Sequence, residues 1–286
     1  VGQRHPPPPA DDRPGDHSGL IDNDRMAEIA PLILVAVLVL GIGISLGISG
    51  LGGFLVPALL VAVLGMDSTT AVAHGLISFV VPGVIGTWLY WRKDDRPSWQ
   101  VAGLLCLGTV PGLLLGRLIS RTASPTVLQA ILALLVLGSG IALLAQQWRT
   151  RHRPPDPRPT GQAPVIRPAV IIPTAASAGL FGGLATVLAG VGGPLITVPA
   201  LIAIGLEVTP VVGAALLNSV FGVALGALAL VGSVRLDPVV LIVITGAQLI
   251  GVPLGARWQD RLPPGRLIPV IAIAAMITAG WLLLRL

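Results

Sequence analysis

Few side chains able to do chemistry lie inside the apolar stretches of this chain. His74, Ser78, Asn218 and Ser219 are polar residues deep within them, and Asp67 and Glu207 stand at matching places where an apolar run resumes. Polar groups inside a bilayer are costly and face a partner helix or a wet cavity. His74, Ser78 and Asn218 are therefore expected to line a central polar path. The plainer outcome is interhelical hydrogen bonding, worth about 1 kcal/mol per bond, and Ser219 is assigned to it. Asp67 and Glu207 read first as helix caps. Because histidine is a proton carrier at physiological pH, the sharper expectation makes His74, Asp67 and Glu207 candidates for proton or ion coupling.

The main chain offers a second kind of chemistry. Gly47-Ile-Ser-Gly50-Leu-Gly52-Gly53-Phe-Leu-Val-Pro57 interrupts an apolar run, and Gly190-Val-Gly192-Gly193-Pro194-Leu-Ile-Thr-Val-Pro199 interrupts another about half a chain later. Glycine and proline break helices. Backbone broken at membrane depth persists only where it is buried in protein or lines a wet cavity. Freed amides at the start of the next helix form an anion site that needs no basic side chain. Gly50, Gly52, Gly53, Pro57, Gly190, Gly192, Gly193, Pro194 and Pro199 are thus candidate substrate-binding positions.

These groups have to be positioned by helices. Ten apolar segments can be traced, and the first five match the second five: Gly52-Gly53 aligns with Gly192-Gly193, Leu64-Gly65 with Ile204-Gly205, Asp67 with Glu207, Ser78 with Asn218, and Gly112/Gly116 with Gly251/Gly255. The last pairs are small-xxx-small faces that let helices approach closely. The expected organisation is a Pro-rich disordered tail over 1–28, a first transmembrane repeat over 29–148, a Pro/Arg-rich linker over 149–168 and a second repeat over 169–286. Met26 directly precedes the first apolar run and is read as the biological start. The segments after each break are short. If they cross fully, each half has five crossings and the halves are inverted; if they only re-enter, each half has four and the halves are parallel. Loop arginines leave both open.

Composition agrees with an all-α polytopic membrane protein. Of 286 residues, 53% are hydrophobic and only 11% charged, with a mean hydropathy of +0.87, where soluble domains carry about 25% charged residues. The net charge of +5 comes from residues between apolar runs. The positive-inside rule accounts for them, and no nucleic-acid motif is present. One cysteine, Cys106, excludes an internal disulfide framework and a cysteine metal site. No metal site, cofactor or P-loop is expected, so any transport runs on an ion or substrate gradient, or is passive.

The pattern Gly50-Leu-Gly-Gly53, Pro57-Ala-Leu, Leu64-Gly65, Ala71-Val72, with its second copy, resembles the sulfite exporter TauE/SafE family, also called the toluene sulfonate uptake permease family. The likeness covers about residues 30 to 285. It implies a duplicated bundle, usually described with about eight crossings, in the cytoplasmic membrane. It also implies substrates such as sulfite, organosulfonates and related sulfur or carboxylate anions. The family often has a small hydroxyl residue where this chain has His74, a departure that bears on the particular substrate. The resulting expectation is a non-enzymatic secondary transporter whose two halves rock about paired helix breaks. Two alternatives stand beside it. Gly47-Ile-Ser-Gly50 matches the GxSG of intramembrane serine proteases, with Ser49 as nucleophile and His74 as base. A membrane assembly protein without transport is the other.

Overall fold

The structure is a computed structural model that describes residues 17–49, 52–92, 98–152, 168–190, 194–206, 208–258 and 264–286. Gly50, Gly192, Gly193 and Glu207, together with most of the linker, lie outside the described residues. The described chain is helical: α1 His17–Ser49, α2 Leu55–Leu64, α3 Ser68–Trp91, α4 Trp99–Thr122, α5 Pro125–His152, α6 Pro168–Ala189, α7 Pro194–Ala203, α8 Val208–Val231, α9 Pro238–Trp258 and α10 Pro264–Leu284. Among the described residues seven helices hold a stretch long and apolar enough to cross a membrane; α2, α7 and the Pro269–Leu284 part of α10 are shorter. The chain is a multi-pass membrane protein.

Helix α1 begins at His17, well before the start expected near Ile29. No proline or glycine lies between Leu20 and Ala30, so nothing stops the helix from extending backwards into part of the segment read as tail. Five helices open on proline, at positions 125, 168, 194, 238 and 264, where the missing amide costs no intrahelical bond. Asp67 caps α3, its carboxylate accepting from the Thr70 amide at 2.9 Å. Gly65 closes α2 with φ +65°, its amide donating to Val61 O at 3.2 Å, the left-handed C-terminal stop that glycine allows.

Glycine contacts fix the helix directions. A Cβ on Gly43 of α1 would meet Gly251 of α9 at 3.2 Å, and one on Gly47 would meet Gly255 at 2.9 Å, so α1 and α9 run together. His74 and Ser78 of α3 pair in the same rising order with Asp237 and Gln248, so α3 runs with α9 as well. Pro57 lies against Gly75, and Gly53 against Phe79. Helix α2 therefore runs back beside α3, towards the end at which α1 enters. Helix α4 runs with α6, Gly108 touching Ala176 and Gly112 touching Leu180. It also runs with α8, since the Ser98 amide donates to Pro210 O and Thr109 pairs with Asn218. Helix α5 opposes α10: Gly140 faces Ala272 while Gln129 Nε2 donates to Leu282 O at 3.2 Å.

One end of the bundle thus gathers the starts of α3, α5 and α9 and the ends of α2, α4, α8 and α10. The other gathers the starts of α4, α6, α8 and α10. The closest seams, α1 on α9 and α4 on α6, join the first five helices to the last five. At both seams glycines set backbone against backbone, with Gly47 on the Val252 carbonyl, Gly255 on that of Ile44 and Gly112 on that of Leu180. Such contact is the main source of helix association in lipid, where the hydrophobic effect between helices is absent.

Candidate functional site

Both helix interruptions reach one cavity. Helix α1 ends at Ser49 and α2 begins at Leu55; α6 ends at Ala189 and α7 begins at Pro194. A space of about 40 Å³ between them is lined by Gly52 and Gly53 of the first interruption and by Gly190 and Pro194 of the second. Phe79, Ser219 and the apolar Leu46, Leu76 and Val223 complete much of its wall. About 10–15 Å³ of such space holds one water, so the cavity is of the size of a very small ligand or a few waters.

Backbone geometry explains why glycines stand here. Gly52 has φ +121° and Gly190 has φ +64°, both in the left-handed region that other residues avoid. The Leu55 amide turns back to Gly52 O at 2.9 Å and the Val56 amide to Gly53 O at 3.2 Å. The amides before them, on Gly53 and Phe54, have no backbone acceptor among the described residues and belong to two cavity-lining residues. The two interruptions also touch. A Cβ on Gly190 would lie 2.7 Å from Pro57 Cγ, and one on Gly75 would lie 2.8 Å from it. The Pro57 ring is thus wedged between α3 and the second interruption. Pro199 lies inside α7, half-buried and away from the cavity wall.

The expected polar path takes a different form. His74, Ser78 and Asn218 are buried at 0%, 0% and 1% exposure, but none lines the cavity. Gln248 Nε2 donates to Ser78 Oγ at 2.9 Å, and Ser78 Oγ donates to Gly75 O at 2.9 Å. Thr109 Oγ1 donates to Asn218 Oδ1 at 2.8 Å. These two pairs join α3 to α9 and α8 to α4. Ser219, expected to serve only packing, is the polar residue of this group that reaches the cavity. Gln248 and Thr109 are the residues that sequence reasoning passed over; their signal was a polar group deep in an apolar span.

His74 has both ring nitrogens engaged. The Asp237 amide donates to Nε2 at 3.0 Å, which leaves Nδ1 to donate to Thr70 O at 2.8 Å. A backbone N–H on one side and a carbonyl on the other select the neutral tautomer with its proton on Nδ1. At the matching place on the other side of the bundle, the Ser98 amide donates directly to Pro210 O at 3.3 Å. The ring of His74 therefore bridges a gap between α3 and the start of α9. It has no free nitrogen to act as a base for Ser49, whose side chain lies outside the described set. The Asp67 carboxylate is committed to its cap. Among the described residues no group of His, Cys, Asp and Glu is arranged to hold a metal.

No curated protein and no solved structure matches the chain. The family model described as Sulfite exporter TauE/SafE matches residues 32–282, nearly its whole length. Seven membrane-long helices agree with a family of membrane transporters, and the chain belongs to the sulfite exporter TauE/SafE family.

Proposed function

We propose that this protein is a secondary carrier of small anions, of the class of sulfite, sulfonates and related organic anions, and that the anion is held where the two helix interruptions meet. The observation that carries the reading is the shared cavity, to which each interruption contributes glycine backbone. Amides at the start of α2 give a donor set without fixed positive charge, which suits an ion that has to be released again. The hydrogen bonds of His74 and Asp67 support structural roles for both rather than coupling.

Helix directions and matching helix lengths support an inverted duplication with five segments per half. The end that holds the starts of α4, α6 and α10 is then cytoplasmic. Its connections carry Arg92, Lys93 and Arg96, the linker arginines, and Arg257, Arg261 and Arg266 in the sequence. The moving units differ from the sequence halves. Helix α1 is seated on α9, and α6 on α4, with glycine at both seams, so any rocking must carry each of those pairs as one body.

The test is counterflow of labelled sulfite in proteoliposomes. Gly52→Val puts a β-branched residue at φ +121° and should abolish flux while the protein still inserts and elutes as a single species. Undiminished flux in that variant would remove the interruption from the transport path.

A further inference from the structure

A second cavity lies at the opposite end from the linker, where α3 starts and α4 ends. It measures about 540 Å³. Arg117 and Arg121, on successive turns at the end of α4, and Arg235, in the α8–α9 connection, converge on it. Hydroxyl residues Ser120, Ser233 and Thr69 share the wall, and Asp67 is its one carboxylate among the described residues. That carboxylate is already used to cap α3. The nearby Asp237 carboxylate is used in the same way, Oδ1 accepting from the Val239 and Val240 amides. Among the described residues none of the three guanidiniums has an ion-pair partner. By contrast, Arg92 and Arg285 stack on the rings of Trp88 and Trp281 at 4.3 and 3.6 Å.

Two plain explanations fall short. A basic residue near the C-terminus of α4 complements the helix dipole, which accounts for Arg121 but not for Arg235 in a connection. The positive-inside rule argues against arginines here, because this end is external in the orientation proposed above. Like charges at i and i+4 on one helix repel, so Arg117 and Arg121 side by side call for a counter-charge.

We propose that this cavity is a second anion site, separate from the helix interruptions, which takes an oxyanion presenting two or more terminal oxygens on sulfur or phosphorus. Guanidinium forks match such oxygens in pairs, and the hydroxyls supply further donors. The chemistry is shared by a free sulfite-type ion and by a phospholipid headgroup. Identifying the free ion as the transported one rests on the carrier reading; anion binding itself does not.

The experiment is arginine modification by phenylglyoxal, mapped by mass spectrometry, on wild-type protein in dodecyl maltoside micelles, which carry no phosphate. Methanesulfonate, which unlike sulfite does not add to the reagent's aldehyde, should at matched ionic strength slow modification of Arg117, Arg121 and Arg235 several-fold and leave Arg257 unchanged. Phosphatidylglycerol nanodiscs without added anion form the second arm. Protection there alone assigns the site to a headgroup, and protection by methanesulfonate in micelles assigns it to a free ion. Arg117→Gln and Arg235→Gln should each weaken the protecting ion by about tenfold, the loss expected for one charge-assisted contact. Equal modification of all four arginines under every condition overturns the proposal. Gly52→Val keeps the failures apart: it should lose flux but retain protection at the three arginines, whereas Arg235→Gln that loses protection and keeps flux would confirm the anion site and place it outside the transport path.

Discussion

The wedge of Pro57 against Gly190 makes a prediction that the structure lets one quantify. Gly190 and Gly65 have nearly the same φ, +64° and +65°. Their surroundings differ: a Cβ on Gly65 meets nothing within 4 Å, while one on Gly190 lies 2.7 Å from Pro57 Cγ. Alanine at either position incurs left-handed strain of about 1–2 kcal/mol. Alanine at 190 adds a contact about 1 Å too close, an overpacking cost of about 1–3 kcal/mol. The unfolded-state effect of Gly→Ala is common to both variants and cancels in the comparison. Gly190→Ala should therefore unfold at a clearly lower temperature than Gly65→Ala and lose sulfite flux, since relief comes only by shifting the start of α7 or the Pro57 ring. Adding Pro57→Ala to Gly190→Ala should recover part of the stability, because the clashing atom is gone. The assays are thermal unfolding in nanodiscs and counterflow in proteoliposomes on the same preparations. Equal unfolding temperatures for the two single variants, with flux kept in Gly190→Ala, would refute the claim that the close approach of the interruptions matters.

Two further outcomes follow from the packing. Ser78→Ala strands the Gln248 amide and should cost about 1 kcal/mol of stability. Gln248→Leu on that background should return most of it, and a thermal-shift double-mutant cycle reads the coupling. Gly112→Ala drives a methyl into the Leu180 carbonyl at the α4–α6 seam and should destabilise by about 1–3 kcal/mol; Gly103→Ala, one helical face away with open space around it, should be neutral or gain up to about 1 kcal/mol. Thermal unfolding of both in nanodiscs is the check, and a similar loss in the two variants would contradict the seam geometry.

The fold was largely written in punctuation. Gly52 and Gly190 mark where helices stop, because their left-handed φ is costly for most other residues, whereas Pro57 and Pro199, also read as breakers, lie inside α2 and α7. Hydropathy then marks the long spans between them. Helix directions were not legible. Loop arginines were balanced between the two topologies, whereas the directions of α1 and α2 show only in the pairing of Gly43 with Gly251 and of Pro57 with Gly75. Gly52, Gly53 and Gly190, singled out in the sequence as helix breakers, line the cavity. The polar residues were harder, because a side chain such as Asn218 satisfies its burial equally well with substrate or with a neighbouring Thr109. Sequence gives the residue type, whereas helix rotation decides which of these it meets. For His74 the partner is an amide 163 residues away, beyond any local pattern.

That distant amide also bears on the rocking proposed for the bundle. The Ser98 amide closes directly onto Pro210 O, while its counterpart at Asp237 reaches Thr70 O only through the His74 ring. The two sides of the bundle therefore meet the same backbone requirement in different ways, by a direct bond at Ser98 and through an imidazole at Asp237. A transporter whose two sides were identical would have equal energies facing inward and outward, and each such difference biases that balance. His74 departs from the small hydroxyl common at this place in the resemblance that first pointed to the family. Its replacement of a direct bond by a bridged one puts a difference between the sides at the start of α9, beside the arginine-lined cavity rather than at the helix interruptions. In the carrier proposed above, a bias set by His74 would therefore fall on the balance between the two facing states rather than on the choice of anion.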